Sequence, residues 1–177
     1  MFKFLRQYVM HPRSVGAIAP SGKNLALKMM EPIDFNNAKV IVEYGPGTGS
    51  FTKELIRLKK ESTTLILIEQ NKSFVEILKK EYKDIKNLYI VNDSAENVVK
   101  ILKEYKFKNA DYIVSGLPFT SLPKEISIKI FNETNRALDK GQFITFQYSK
   151  VKKRFFEEYF NFSDILYIFK NLPPAYV

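Results

Sequence analysis

The 177-residue chain has no cysteine, no tryptophan and a single histidine, His11. Without cysteine there is no disulfide framework, no thiolate metal site and no cysteine nucleophile. One histidine does not supply the ligand set of a structural zinc site, so no metal is expected. No apolar run approaches the ~20 residues of a membrane-spanning helix, and the N-terminus lacks the apolar core and cleavage site of a secretory signal. A cytoplasmic protein is expected. Glycine is also scarce, 7 in all, yet three stand at alternate positions: Gly45, Gly47 and Gly49.

What is present describes a globular chain, 45% hydrophobic and 27% charged, of a length that suits one domain with a proper core. Lysine and arginine (28) outnumber aspartate and glutamate (19), leaving a net charge of +9. Two readings of that charge stand side by side. One is a polyanionic partner, nucleic acid or an anionic membrane face; the other is lysines spread over solvated helix faces.

The stretch VIVEYGPGTGSFT, residues 40–52, organises the rest. It reads as a buried strand over 39–44, a glycine-rich turn stiffened by Pro46, and the start of an amphipathic helix whose first amides favour a negative group. A phosphate-binding loop of the Walker type ends Gly-Lys-Ser/Thr, whereas residues 49–51 are Gly-Ser-Phe, which excludes it. The dinucleotide fingerprint spaces its third glycine three residues after the second, and the spacing here is G-x-G-x-G. Glu43 at the strand end repels phosphate but suits an amino group or hydroxyls. With it, E-x-G-x-G-x-G resembles the first motif of class I S-adenosylmethionine-dependent methyltransferases.

Taken in order, the first ten residues read as a helix with Met1, Leu5, Tyr8 and Val9 on one stripe, ended by Pro12. Basic Lys3 and Arg6 flank the stripe, so it serves either as an interfacial membrane helix or as a cap packed on its own domain. Residues 13–21 read as a small-residue loop, with Ser21 capping a helix over 22–30 that buries Leu25, Met29 and Met30 and can fold over a ligand. From Lys39 strand and helix alternate, which predicts a parallel sheet covered on both faces. Phe51, Leu55 and Leu58 stripe the first helix. Leu65 to Glu69 is a strand ending in a carboxylate that stands 20 residues after Gly49, where it can accept both ribose hydroxyls of a nucleoside. A helix with Phe74, Ile77, Leu78 and Tyr82 on one face follows, then a strand over 88–91. Asp93 after it accepts from an adenine amino group or caps the helix carrying Val98, Val99 and Leu102, and both roles can hold at once. The strand 110–114 runs into Ser115-Gly116-Leu117-Pro118-Phe119, facing the same crevice as the glycine turn; its carbonyls can take a substrate amine and Phe119 can wall the methyl group. A helix over 124–138, Gly141, a strand over 142–148, a short basic helix capped by Ser149, and a closing antiparallel pair over 162–170 and 175–177 complete the chain, with no repeat, low-complexity linker or second domain.

Four motifs in order carry a resemblance over nearly the whole chain: F-L-R-Q-Y-V with H-P-R-S-V-G-A-I-A-P-S at 11–21, V-E-Y-G-P-G-T-G at 42–49, S-G-L-P-F at 115–119 and N-L-P-P-A at 171–175. They resemble bacterial phospholipid N-methyltransferases, soluble enzymes that work at the membrane surface and methylate phosphatidylethanolamine stepwise. The resemblance implies an α/β, Rossmann-like fold: a mostly parallel seven-stranded sheet with helices on both faces, a core over 38–177 and a helical lid over 1–30. It implies S-adenosylmethionine as cofactor and S-adenosylhomocysteine as product. Glu43, Tyr44, Gly45, Pro46, Gly47 and Gly49 would hold the methionine end, Glu69 and Gln70 the ribose, and Asp93, Ser94 and Ala95 the adenine. Ser115 and Gly116 would line the cofactor, under a lid whose Ser14, Val15, Ala19 and Ser21 touch it. It further implies a phospholipid substrate and a peripheral position on the inner face of the membrane. A second relative is the ribosomal RNA adenine dimethyltransferase group, whose fourth-strand motif opens with Asn where this chain has Ser115-Gly116, and which carries a helical RNA-binding domain beyond the sheet where this chain ends at Val177. An RNA substrate, or a soluble amine, is the alternative to lipid.

The chemistry is an in-line displacement that needs alignment, a dry site and a neutral amine. Candidates to accept or relay the amine proton are Tyr8, His11, the Ser115 hydroxyl and the Leu117 carbonyl. His11 alone has an unperturbed pKa suited to this near neutrality, and a structural His11 is the alternative. Pro118, Phe119 and Tyr148 would contact the substrate, the aromatic rings through cation–π attraction to the developing ammonium.

Overall fold

The computed structural model describes residues 20–119, 121–147, 153–161, 167–168 and 175–177. The expected N-terminal helix, the lid loop with Ser14, Val15 and Ala19, the candidates Tyr8, His11 and Tyr148, and the cap Ser149 lie outside the described residues, as do the side chains of Pro20 and Ser21.

Five strands, β1 (Val40–Tyr44), β2 (Thr64–Ile68), β3 (Leu88–Val91), β4 (Tyr112–Ser115) and β5 (Gln142–Thr145), form a parallel sheet in the order β3-β2-β1-β4-β5. Every residue of β1 and β2 is buried, which is why VIVEY and TLILI read as continuous rather than alternating runs. Ile41 packs with Leu25 and Met29 of α1 (Pro20–Met30), Leu55 of α2 (Ser50–Leu58) and Leu78 of α3 (Lys72–Glu81). Val40, Val42 and Tyr44 point the other way, into a core with Val98, Ile101 and Leu102 of α4 (Val98–Glu104) and Ile130 and Phe131 of α5 (Lys124–Leu138). Burying each such side chain stabilises by about 1.5–3 kcal/mol. A short α6 (Lys153–Glu157) adds Phe156 to this second core.

The connections through α2 and α3 therefore cover one face and those through α4 and α5 the other. The winding reverses between β1 and β4, and a doubly wound sheet opens its crevice beyond the strand ends at that point. At the opposite end Asp111 ties the two central strands together, Oδ2 accepting from the amides of Lys39 at 2.7 Å and Val40 at 2.8 Å. Gly141 fits closely there: a Cβ would lie 2.5 Å from the Asp111 carbonyl oxygen.

The sheet corrects the expectation of seven strands. Among the described residues the closing pair is present as β6 (Tyr167–Ile168) and β7 (Ala175–Tyr176), which pair with each other, Tyr167 opposite Tyr176 and Ile168 opposite Ala175, in a separate antiparallel ribbon. β3 and α5 have the expected bounds, whereas β5 ends at Thr145, short of 148. α1 opens at Pro20, a residue whose fixed φ suits a first turn, so Ser21 lies inside the helix rather than capping it. On α3, Val75 and Leu78 fill the core while Ile77 is 49% exposed, because the buried stripe runs i, i+3 from Val75.

Candidate active site at the carboxyl ends of the strands

Gly45, Gly47 and Gly49 all have positive φ, 61°, 56° and 85°, so the turn after β1 takes the left-handed backbone that its composition demands. Gly49 is the N-cap of α2. A Cβ on Gly47 would meet nothing within 4 Å, so the turn faces open space there. A Cβ on Gly45, by contrast, would lie 2.7 Å from Leu117 Cδ2, so the first glycine is where the loop after β4 closes on the turn. Gly116 N donates to the Tyr44 carbonyl at 2.9 Å, fixing the two loops together.

Glu69 directly follows β2 and faces this turn. Its Oε2 accepts from Gly47 N at 3.0 Å and its Oε1 from Asn71 N at 2.8 Å. Asn92 braces the same bend, donating to the carbonyls of Glu69 at 2.9 Å and Gln70 at 3.1 Å. Glu43 is wholly buried beneath the first turn of α2, where Thr52 Oγ1 donates to Oε2 at 2.7 Å. Its Oε1 has no hydrogen-bond partner. Burial pushes the Glu43 carboxyl up to about 8; the Thr52 hydroxyl opposes that and the negative charge of Glu69 adds to it. Tyr82, at the end of α3, comes within 3.1 Å of a Cβ built on Gly49, and burial raises its phenol.

Asp93 Oδ1 accepts from Ser94 N and from Asn97 Nδ2, each at 2.7 Å. The capping role offered to Asp93 falls instead to Ser94, whose side chain accepts from Glu96 N at the head of the 3₁₀ turn Ala95–Asn97. Ala95 is buried in the core. Gln70 is exposed beside Glu69, and Pro46 is buried with its carbonyl on Gly49 N.

Three expected contacts are corrected. Tyr44 is completely buried on the far face of β1, its hydroxyl 3.2 Å from Thr134 Oγ1, because strand residues alternate and Glu43 takes the crevice face. Phe119 is also completely buried, in a cluster with Phe131 at 4.8 Å and Phe156 at 5.5 Å between ring centroids, so it cannot wall a methyl group. Ser115 is buried too; its Oγ accepts from Leu117 N at 3.2 Å, which makes it a brace for the loop. The Leu117 carbonyl accepts from Phe119 N at 3.0 Å, and the Pro118 carbonyl holds Ser121 N and Leu122 N.

The rings that do stand beside the loop are Phe51 and Phe146, edge to face at 5.6 Å, with Phe51 Cε2 3.7 Å from a Cβ built on Gly116. Phe51 carried a sequence signal only as a helix-stripe residue. Phe146 and Gln147, just past β5, carried one only as members of the strand read over 142–148, since no motif spans the long stretch of chain that separates them from Phe51.

S-adenosylmethionine carries an ammonium with a carboxylate on the same carbon, a ribose diol and an adenine. The open space above Gly47, the orphaned buried carboxyl oxygen of Glu43 and the carboxylate of Glu69 fixed at the end of β2 fit those groups. Among the described residues no group of acidic or histidine side chains could hold a metal ion, and no helix is long and apolar enough to cross a membrane.

Comparison with known proteins places the chain among methyltransferases. Residues 22–160 match the model of the ribosomal RNA adenine dimethylase family. The ornithine lipid N-methyltransferase of Singulisphaera acidiphila is 30% identical over 98% of this chain and 92% of that protein. The ribosomal RNA small subunit methyltransferase A of Mycoplasma capricolum is 35% identical over 56% of this chain, which spans only 36% of that protein. Among solved structures, an rRNA methylase from Streptococcus thermophilus superposes with a TM-score of 0.58 at 14% identity, covering 91% of this chain and 95% of that one. A precorrin-6y C5,15-methyltransferase from Geobacter metallireducens gives 0.62 at 13% identity, over 82% and 75%. At such identities these two superpositions speak for the fold alone.

Proposed function

The chain belongs to the ribosomal RNA adenine dimethylase family, and from that footing we propose that it methylates the amine of a membrane amino lipid. That it is an S-adenosylmethionine-dependent methyltransferase follows from family and fold together. The observation that carries the lipid reading is the end-to-end match to a lipid N-methyltransferase, 98% of one chain on 92% of the other. The +9 charge suits an anionic surface. The family name favours RNA as the second reading, but the similarity to that RNA enzyme covers only 56% of this chain.

S-adenosylmethionine supplies an electrophilic methyl group on a sulfonium. The chain's residues supply the rest. Glu69, with one lone pair of each oxygen already committed to Gly47 N and Asn71 N, keeps acceptor capacity for ribose hydroxyls. Asp93 offers its second oxygen to the adenine edge. Glu43 Oε1, as the carboxylate, takes the methionine ammonium. Phe51 and Phe146 keep water from the reacting amine and offer it a cation–π face as positive charge develops. The Leu117 carbonyl, braced by Ser115, orients the amine by accepting one of its protons. Tyr8 and His11 remain the candidates for carrying the proton away.

The test is label transfer from radiolabelled S-adenosylmethionine to phosphatidylethanolamine vesicles, to total bacterial lipid and, separately, to ribosomal RNA. Label in the organic phase is expected. Label confined to RNA would replace the lipid reading with the second one.

A further inference from the structure

Two buried side-chain atoms among the described residues lack a hydrogen-bond partner, Glu43 Oε1 and Gln147 Nε2. The cofactor's ammonium answers for the first. The cofactor's carboxylate, on the same carbon as that ammonium, stays beside Glu43 and does not reach the second, because Gln147 follows β5, two strand spacings or about 10 Å from β1 on the other side of β4. We propose that Gln147 is a substrate-binding residue: its Nε2 donates to an oxygen of the acceptor molecule, a few bonds from the amine that is methylated. It thereby selects amines that carry a phosphodiester or a carboxylate. The inference rests on the lipid reading and deepens it.

Its placement follows from register. Ser115 of β4 stands opposite Thr145 of β5. Gln147 is two residues past Thr145 as Leu117 is two residues past Ser115, so both lie just beyond the carboxyl ends of adjacent strands. Neighbouring strands are about 4.8 Å apart. An amine held at the Leu117 carbonyl would thus have its neighbouring substituent, not its nitrogen, at Gln147. Alternation puts Gln147 on the face of Thr145, whose Oγ1 donates to the Ser115 carbonyl at 3.4 Å, and Phe146 on the opposite face with Phe51, so the acceptor would span the strand ends with its amine toward the two rings and its anionic substituent toward Gln147.

The chemistry of the group sets what it takes. An amide nitrogen only donates, so it repels an ammonium and requires an acceptor. A donor buried without a partner costs free energy, and native proteins leave few of them. An anionic oxygen makes the stronger bond, and a neutral amide receives it without the desolvation cost of a buried cation. A bare alkylamine has nothing to offer this group and leaves it unpaired, which is how a buried polar group rejects an analogue.

The experiment compares wild type with Gln147→Leu and Gln147→Glu. The acceptors are phosphatidylethanolamine and stearylamine, each in phosphatidylcholine vesicles, with S-adenosylmethionine affinity and Tm measured alongside. For Gln147→Leu we expect kcat/KM on phosphatidylethanolamine to fall about tenfold, carried by KM, with stearylamine within about twofold. Cofactor affinity should hold and Tm should stay level or rise, since an unpaired amide is replaced by an apolar group. Gln147→Glu, an acceptor in place of a donor, should lose phosphatidylethanolamine and favour stearylamine. Equal loss on both acceptors, a large fall in Tm, or unchanged phosphatidylethanolamine kinetics would overturn the assignment while leaving the lipid reading in place. A wild-type protein that labels neither acceptor nor any component of total bacterial lipid would overturn both.

Discussion

Replacing Glu43 by glutamine should make the protein more stable at neutral pH while weakening its hold on the cofactor. In the folded chain the carboxyl keeps its proton up to about pH 8, because it is buried with only Thr52 donating to it. In the unfolded chain it ionises near pH 4.5, the usual value for glutamate. Between those limits the native state binds a proton that the unfolded state does not. The contribution is complete below pH 4.5 and is lost as pH rises through 8, at about 1.4 kcal/mol per pH unit. From about pH 5 to about pH 7 this is roughly 3 kcal/mol, or about 6–12 °C in Tm for a chain of this size. The substituted amide does not titrate, so Tm(variant) minus Tm(wild type) should climb by that amount across the range, every other group being common to both proteins. Thermal melts from about pH 5 to about pH 8 at constant ionic strength measure it, and a difference that stays constant within about 1–2 °C over that range would refute the reasoning. Titration calorimetry supplies the functional half: the amide cannot match an ammonium as a carboxylate can, so S-adenosylmethionine should bind roughly tenfold more weakly or worse. In wild type the same measurement near neutral pH should show release of a proton as the cofactor binds.

Gly141→Ala should destabilise by about 1–3 kcal/mol in denaturant melts with cofactor affinity retained, since its Cβ would press on the Asp111 carbonyl from 2.5 Å at the end of the sheet away from the site. Phe119→Ala should cost about 3–5 kcal/mol of stability by opening a cavity among Phe131, Phe143 and Phe156, with acceptor KM unchanged; a raised KM in a protein of undiminished stability would return Phe119 to the substrate pocket.

The sequence by itself determined the parallel sheet, the glycine turn and the placement of Glu43 and Glu69 at its rim. Each is a local signal. Strands covered on both faces are apolar throughout, as in VIVEY and TLILI. Alternate glycines after a strand admit few backbones, and all three took positive φ. A carboxylate at the next strand end is within reach of the turn because parallel neighbours β1 and β2 are in register, Tyr44 opposite Ile68. The bounds of α5 were legible for the same kind of reason, a helical period between Pro123 and the turn at Asp139.

Only the tertiary structure decided what a side chain does beyond the end of its strand. S-G-L-P-F locates a loop, but whether Phe119 faces ligand or core depends on α5 and α6, which arrive later in the chain and draw the ring into their aromatic cluster. The crevice rings are instead Phe51 and Phe146, which the fold brings together across β1, β4 and β5. Thr52 as the partner of Glu43, nine residues on, required α2 to lie back over β1. The number of strands in the sheet was likewise settled by pairing, since a strand pattern does not say which edge it joins. Periodicity reports which residues of one element share a face; the contacts that assign a donor, a wall or an orphaned carboxyl are made between elements.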